Sequence, residues 1–186
     1  MALASVAFSI SAFSISAFLS GLFLLGKDQG ENSGKTLGII NVLVGISIFI
    51  SSILLFTTVP FGTGSPAENV QLGFSVLQVF FGIVWISFGA STLYNWDMKF
   101  IGSTTLLLLV YNVIVLIVLP ISWSAAFTTV GMVVVELALF SYILDEFGFW
   151  AVTHGKMKAT VQGYFLIASS VLSIALAVIP GGIIPM

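Results

Sequence analysis

Long apolar runs alternate with short polar segments along the whole chain. Charged and turn-forming residues divide it into six apolar runs: Leu3–Gly26, Thr36–Val59, Val70–Tyr94, Phe100–Leu119, Ala125–Leu144 and Ala159–Ile183. Each run holds about 20 residues or more, the length that an α-helix needs to cross the hydrocarbon core of a bilayer. The pattern predicts an all-α, polytopic membrane protein in which residues 1–186 form a single bundle of six transmembrane helices.

The polar connections between these runs are short. They are Lys27–Lys35, Pro60–Asn69, Asn95–Lys99, Pro120–Ser124 and Asp145–Lys158. Only the last is long enough for a small surface element, and none can hold a soluble domain. The first run has no positively charged segment before it and is longer than the apolar part of a signal peptide, so it is predicted to remain as the first helix.

The cationic residues are distributed unevenly between the two sides of the predicted bundle. All of them are lysines, and all lie in the first, third and fifth connections: Lys27, Lys35, Lys99, Lys156 and Lys158. The second and fourth connections and both termini have none. Because short lysine-bearing loops stay in the cytoplasm, the positive-inside rule predicts that these three connections are cytoplasmic and that both termini lie outside.

The composition agrees with membrane residence and excludes several functions. The 186 residues are 59% hydrophobic and only 6% charged, with a mean hydropathy of +1.19, whereas about a quarter of the residues of soluble proteins are charged. So few cations cannot form a nucleic-acid footprint. The chain has no cysteine and a single histidine, His154, so we expect no disulfide, no cysteine nucleophile and no metal site.

No enzyme signature is present in the sequence. It lacks a Ser/His/acid set, a His-Glu-x-x-His motif and a phosphate-binding glycine loop. We therefore expect no catalytic residue, no enzymatic activity and no cofactor. Coupled ion transport would usually need more than one intramembrane charge or broken helices, so a passive path is the simpler expectation.

The run Ala125–Leu144 carries a single charged residue, Glu136, near its middle. An acidic side chain at the midplane of a bilayer costs about 2.5–3.5 kcal/mol on insertion scales, so Glu136 is expected to face protein or a water-filled path. A carboxyl group there can hydrogen-bond to a passing solute. Glu136 is therefore the first candidate for a pore residue. The alternative is a hydrogen bond to a neighbouring helix that only stabilises the bundle.

Further polar and aromatic residues are predicted to lie inside the membrane. Asn41, Tyr111 and Asn112 supply amide and hydroxyl groups that can replace water around a small neutral polar solute. The alternative for each is a hydrogen bond between helices. On the third run, Phe81 and Trp85 are one helical turn apart and can either line a pore or pack against lipid and other helices.

Short motifs follow one another in a characteristic order. They are Leu25-Gly26-Lys27 at the end of the first run, Asn41-x-x-Val44-Gly45 in the second, Phe81-Gly82 with Trp85 in the third, Trp96-Asp97 in the third connection, and Gly163 with Pro180 in the last run. This order resembles the urea/amide channel family (AmiS/UreI). The resemblance implies six spans with both termini outside, as the lysines also predict. It also implies a ring of protomers, typically a hexamer, each with its own narrow pore.

The sequence departs from that family at the pore. The family's fifth helix usually carries two tryptophans one turn apart that narrow the pore, and these fall on Met132 and Glu136. The family's sixth-helix glutamate falls near Leu172. Acid-gated members carry histidines in the outer loops, and the second and fourth connections have none. An aromatic constriction and an acid are therefore expected to have exchanged places, which leaves ammonia, water, a protonated acid or an acetate-like solute as alternatives to an amide.

The sequence thus predicts a channel of the prokaryotic plasma membrane for passive passage of a small neutral polar solute such as urea, a short amide or ammonia. The lipid bilayer and a homo-oligomer, a hexamer by resemblance, are the expected partners. Two alternatives remain: a non-transporting subunit of a larger membrane complex, and an acetate-type monocarboxylate transporter. The expected pore or solute-binding residues are Glu136, Met132, Trp85, Phe81, Tyr111, Asn112 and Asn41.

Overall fold

The computed structural model describes residues 3–27, 29–58, 61, 63–65 and 67–178, with side chains from Val6 onward. This part of the chain forms six α-helices and no strand. They are α1 Leu3–Leu24, α2 Ser33–Thr58, α3 Ala67–Tyr94, α4 Lys99–Val118, α5 Thr129–Thr153 and α6 Ala159–Val178. All except α5 are long and apolar enough to cross a membrane. α5 has 25 residues but contains three acidic side chains. The chain has the fold of a polytopic helical membrane protein, as the sequence predicts.

The helices stand side by side in chain order, and α6 packs against α1. They therefore form a closed ring in which each helix has two neighbours. The most extensive contacts join α2 to α3 and α1 to α6, and the least extensive join α3 to α4. Large apolar side chains such as Phe8, Ile15 and Phe140 point outward, each more than half exposed. Because lipid rather than water surrounds such a surface, this exposure is expected for a membrane bundle.

Small residues bring α2 and α3 close together. On each helix they are spaced seven residues apart, and in the antiparallel pair they meet as Gly38 with Gly89, Gly45 with Gly82, and Ser52 with Ser75. A Cβ atom on Gly45 would lie 2.6 Å from the backbone nitrogen of Ile86. Gly21 and Gly163 make a similar approach between α1 and α6. Close backbone contact of this kind supplies the packing energy that hydrophobicity cannot supply in lipid.

The three helices that end on the lysine-bearing side stop at a residue with positive φ. These residues are Gly26 (70°), Asn95 (54°) and Gly155 (67°). The next residue then donates its N–H back to the last helical turn, as from Lys27 to the carbonyl of Leu22 at 2.9 Å. All five lysines lie on this side, and both ends of the described chain lie on the opposite side. The predicted distribution of lysines is therefore observed, and their cytoplasmic location stays a prediction.

α5 is longer at its carboxyl end than the sequence predicted. It continues to Thr153 rather than ending at Leu144. The prediction that Asp145 opens a surface connection is therefore wrong, since Asp145 and Glu146 lie inside the helix and are buried. The helical midpoint falls at Ser141, so Glu136 lies more than one turn from the middle of α5 instead of at its centre.

The fourth connection is also more regular than predicted. After α4 the chain forms a π-helical turn, Leu119–Trp123, and a 3₁₀ turn, Ser124–Ala126, before α5 begins at Thr129. Proline lacks a backbone N–H and its ring displaces the preceding turn, which accounts for the irregular helix at this point. The predicted ends at Val59 and Ile183, with Pro60 and Pro180, lie outside the described residues.

Candidate functional site

Three aromatic rings meet inside the ring of helices. They belong to alternate helices: Phe13 on α1, Phe81 on α3 and Tyr142 on α5. The ring centroids are 5.5 Å apart for Phe13 and Phe81, 5.2 Å for Phe13 and Tyr142, and 5.3 Å for Phe81 and Tyr142, all edge to face. Trp85 adds a fourth ring, 5.6 Å from Phe13. These four residues are called the aromatic constriction below.

A cavity of about 80 Å³ lies on the side of the constriction that faces away from the lysines. Apolar side chains form most of its wall, including Leu77, Val135 and Leu139, and Gln78 and Ser9 provide polar groups. Gln78 donates its amide N–H to the Ser9 hydroxyl at 3.3 Å. The Gln78 side-chain oxygen has no partner among the described residues. This cavity is called the apolar chamber.

A second cavity of about 50 Å³ lies on the lysine-bearing side of the constriction. Phe13 and Phe81 contribute to the walls of both cavities, so the constriction separates them. The polar part of the second wall consists of Thr105, Asp145, Glu146 and Gln162, and the remainder is apolar and includes Trp85, Phe88 and Phe149. This cavity is called the acidic chamber.

Each acid of the acidic chamber is held by a neighbouring helix. Glu146 accepts a hydrogen bond from the Asn112 amide on α4, and Asp145 accepts one from the Ser169 hydroxyl on α6. Adjacent residues on a helix point in different directions, which is why the two acids find partners on opposite sides of α5. The position of α5 between α4 and α6 is therefore what allows both carboxyl groups to be buried.

The backbone of α5 is bonded to the same two neighbours. Gln162 on α6 donates its side-chain amide N–H to the backbone carbonyl oxygen of Asp145 at 3.0 Å. The Thr105 hydroxyl on α4 lies 3.0 Å from the backbone carbonyl oxygen of Glu146. A side chain at Gly148 would collide with Gln162. Glycine at this position therefore lets the Gln162 side chain lie against α5.

Hydrogen-bond acceptors exceed donors in the acidic chamber. Among the described residues, three buried oxygen atoms of residues in the chamber wall have no partner: Asp145 Oδ1, Glu146 Oε2 and Gln162 Oε1. The same holds for Asn112 Oδ1, which lies outside the wall. No cationic side chain is among the described residues of the chamber wall. Buried polar atoms normally have partners. The chamber is thus suited to a molecule that brings hydrogen-bond donors.

The structure brings some of the predicted residues to the chambers. Phe81 lines both chambers and Trp85 lines the acidic one. Asn112 donates a hydrogen bond to the carboxyl group of Glu146 and lies outside the chamber wall. Met132 is half-buried and packs against the apolar core.

Asn41 and Tyr111 join helices to one another. Asn41 bonds to Ser16 and Ser20 on α1, and the Tyr111 hydroxyl donates to the carbonyl oxygen of Gly73 at 2.8 Å. Neither Asn41 nor Tyr111 belongs to the described wall of a chamber. The contacts of Asn41 and Tyr111 are thus hydrogen bonds between helices, which was the alternative to a pore position for each residue.

Glu136 does not line either chamber among the described residues. It is half-buried, and no hydrogen bond or ion pair of its carboxyl group is found within the described part of the chain. Its neighbours one residue and three residues away, Leu137 and Val133, face outward. Glu136 thus lies on the flank of α5, between the inward and the outward face.

The sequence reasoning missed Phe13, Tyr142, Asp145, Glu146 and Gln162. The signal for the two acids was present, because an apolar segment, Phe147–Val152, continues the helical pattern beyond them. Phe13 and Tyr142 have no comparable signal. They are two of many aromatic residues in apolar runs, and their meeting depends on the closure of the ring.

Among the residues that the structure describes, no three His, Asp or Glu side chains converge in a way that could hold a metal ion. Comparison of the chain with family models, with curated proteins and with solved structures gives no match. The geometry of the two chambers and of the constriction between them is therefore the basis for inferring a function.

Proposed function

We propose that the protein is a membrane channel that passes a small neutral polar solute, such as urea, a short amide or ammonia, along the axis of the helix ring. The observation that carries the proposal is the arrangement of two chambers on either side of one aromatic constriction. A path of this kind runs within a single protomer, so it needs no interface between copies.

The polar groups of the acidic chamber favour solutes that carry N–H donors. Urea, amides and ammonia can donate to the free oxygens of Asp145 and Glu146 and so replace the hydrogen bonds that they lose with water. The constriction excludes bulk water because its rings are in contact. A solute passes when rings rotate aside, so only small molecules are expected to cross.

The same chemistry argues against the acetate-type alternative. Acetate carries acceptors only, and two buried carboxyl groups repel it wherever they are ionised. No compensating cation is found among the described residues that line the chambers. The outward apolar faces are compatible with lipid or with neighbouring copies, and a homo-oligomer in a prokaryotic plasma membrane remains part of the proposal.

Reconstitution into liposomes tests the channel. Solute entry is measured by stopped-flow light scattering for urea, acetamide and acetate, and by an internal pH dye for ammonia. We expect at least one of the N–H-bearing solutes to enter faster than in protein-free liposomes, and acetate to enter at the protein-free rate.

Equal rates with and without protein for all four solutes would reject the channel. In that case the alternative of a non-transporting subunit is tested by purification in mild detergent. Stoichiometric recovery of unrelated polypeptides supports a subunit, whereas a self-assembled ring without other polypeptides contradicts it.

A further inference from the structure

We propose that the acidic chamber is a binding site for a small ammonium-type cation, ammonium or methylammonium. The proposal goes beyond the channel, because binding in the chamber requires no flux through the constriction. It depends on a cavity, on the acceptors that face it and on the aromatic rings around them.

Several oxygen atoms of the chamber wall accept no hydrogen bond from the described residues. Asp145 Oδ1, Glu146 Oε2 and Gln162 Oε1 are unpartnered, and their side chains are only 8%, 4% and 1% exposed. An unpartnered buried acceptor is costly, and more so when it is charged. A ligand that donates several N–H bonds at once would satisfy the two carboxyl oxygens, whereas the Gln162 oxygen lies against Gly148.

The acidic side chains of the site favour a cationic ligand. Two carboxyl groups face the chamber, and the described residues that pack around it from α1, α3, α4 and α6 contribute no positive charge. Charged groups buried in a membrane are normally paired. The side chains facing the acids from α4 and α6 are Thr105, Asn112, Gln162 and Ser169, all neutral.

The composition of the wall favours an N–H cation over a metal ion. Calcium takes six to eight oxygen ligands and magnesium six in near-ideal octahedral geometry, and the chamber offers few free oxygens. Trp85, Phe88 and Phe149 form much of the remaining wall, and aromatic faces attract ammonium groups. The volume of about 50 Å³ exceeds the roughly 10–15 Å³ that a single water molecule requires, so the chamber has room for a ligand larger than one water molecule.

Calorimetric titration of the purified protein in mild detergent tests the site. Ammonium chloride and methylammonium chloride are added at pH 7 and at ionic strength held constant with choline chloride, and potassium and sodium chloride serve as comparison ions. We expect saturable binding of ammonium and methylammonium, and at least tenfold weaker binding of potassium and sodium. Potassium binding as tight as ammonium binding would overturn the proposal, and so would the absence of saturable ammonium binding.

Variants locate the binding within the chamber. Glu146→Gln and Asp145→Asn keep the shape of the side chain and remove its ability to become negatively charged, and each is expected to weaken ammonium binding at least tenfold. Glu136→Gln is the matched control, because it removes an acid from the same helix outside the chamber walls, and it should bind as the unmodified protein does. Unchanged binding in both chamber variants contradicts the site.

Size-exclusion elution and helical circular dichroism establish that each variant folds. If neither chamber variant folds, the ion series on the unmodified protein still decides the matter. Flux distinguishes this proposal from the previous one. If the protein binds ammonium but passes no solute, the binding-site proposal holds and the channel proposal fails. If it passes urea without binding ammonium, the channel proposal holds and the binding-site proposal fails.

Discussion

Asn112 on α4 donates its side-chain amide to the carboxyl group of Glu146 on α5, and both residues are buried. The bond joins α4 to α5 within the membrane bundle. It also fixes one wall of the acidic chamber, because the second oxygen of Glu146 remains free. A substitution at either residue is therefore expected to change the stability of the protein.

Replacement of Asn112 by Leu is expected to destabilise the protein by about 1–3 kcal/mol, because it leaves the buried Glu146 without a donor. Reversible unfolding in mixed detergent, followed by circular dichroism, measures the change. Combining Asn112→Leu with Glu146→Leu should recover part of the loss, since both partners are then apolar. Asn69→Ala, at an exposed position of α3, is the control and should change stability by less than about 0.5 kcal/mol. If Asn112→Leu is as stable as the Asn69→Ala control, this explanation is contradicted.

Replacement of Gly45 by Ala is expected to separate α2 from α3. The new Cβ atom would lie 2.6 Å from the Ile86 nitrogen and 2.8 Å from the Gly82 carbonyl oxygen, and both are backbone atoms that cannot rotate away. Overpacking of this kind costs about 1–3 kcal/mol. Gly34→Ala is the matched control on the same helix, because its nearest neighbour would be the Phe23 ring at 3.7 Å. If thermal unfolding shows the same stability for Gly45→Ala and Gly34→Ala, the close approach of α2 and α3 is unimportant for stability.

Replacement of Phe81 by Ala is expected to open the constriction. Phe81 makes edge-to-face contacts with Phe13 and with Tyr142, and each such contact is worth about 0.5–1.5 kcal/mol. If a passing solute must break both contacts, the barrier falls by about 1–3 kcal/mol and flux rises about fivefold or more. The rise should be largest for amides bigger than urea. Phe140→Ala removes an outward-facing ring of α5 that is 53% exposed, and its flux should equal that of the unmodified protein in the liposome assay.

Replacement of Glu136 by Leu should leave solute flux within about twofold of the unmodified rate, a change of less than about 0.4 kcal/mol in the barrier. The reason is that Glu136 lies outside both chamber walls. Glu146→Leu removes an acceptor of the acidic chamber and is expected to slow urea and ammonia by about tenfold. The opposite ranking, with Glu136→Leu the slower variant, would restore Glu136 as the pore residue that the sequence predicted.

Single cysteines test the orientation, because the natural chain has none. Ser65 and Asn32 are exposed on opposite sides of the bundle. In intact cells Ser65→Cys should react with a membrane-impermeant thiol reagent and Asn32→Cys should not, as the positive-inside rule requires. If only Asn32→Cys is labelled, the protein has the opposite orientation in the membrane.

The sequence by itself determined which segments cross the membrane and how they alternate. Apolar length and loop charge are local properties, and each can be read within about 20 residues. The small residues Gly45 and Gly82 were visible in the resemblance motifs, but their pairing required the antiparallel register of α2 and α3.

The tertiary structure decided which polar groups meet. The bare sequence presents Asp145 and Glu146 as the start of a surface connection, because an acidic pair is costly in lipid. Ser169 and Asn112 offset that cost from two other helices, and these contacts join residues 24 and 34 positions apart in sequence. Glu136 shows the converse. Its position near the middle of an apolar run made it prominent, whereas the rotation of α5 in the closed ring placed it on the flank. Helix rotation depends on the faces of all the neighbouring helices, so no local pattern could specify it.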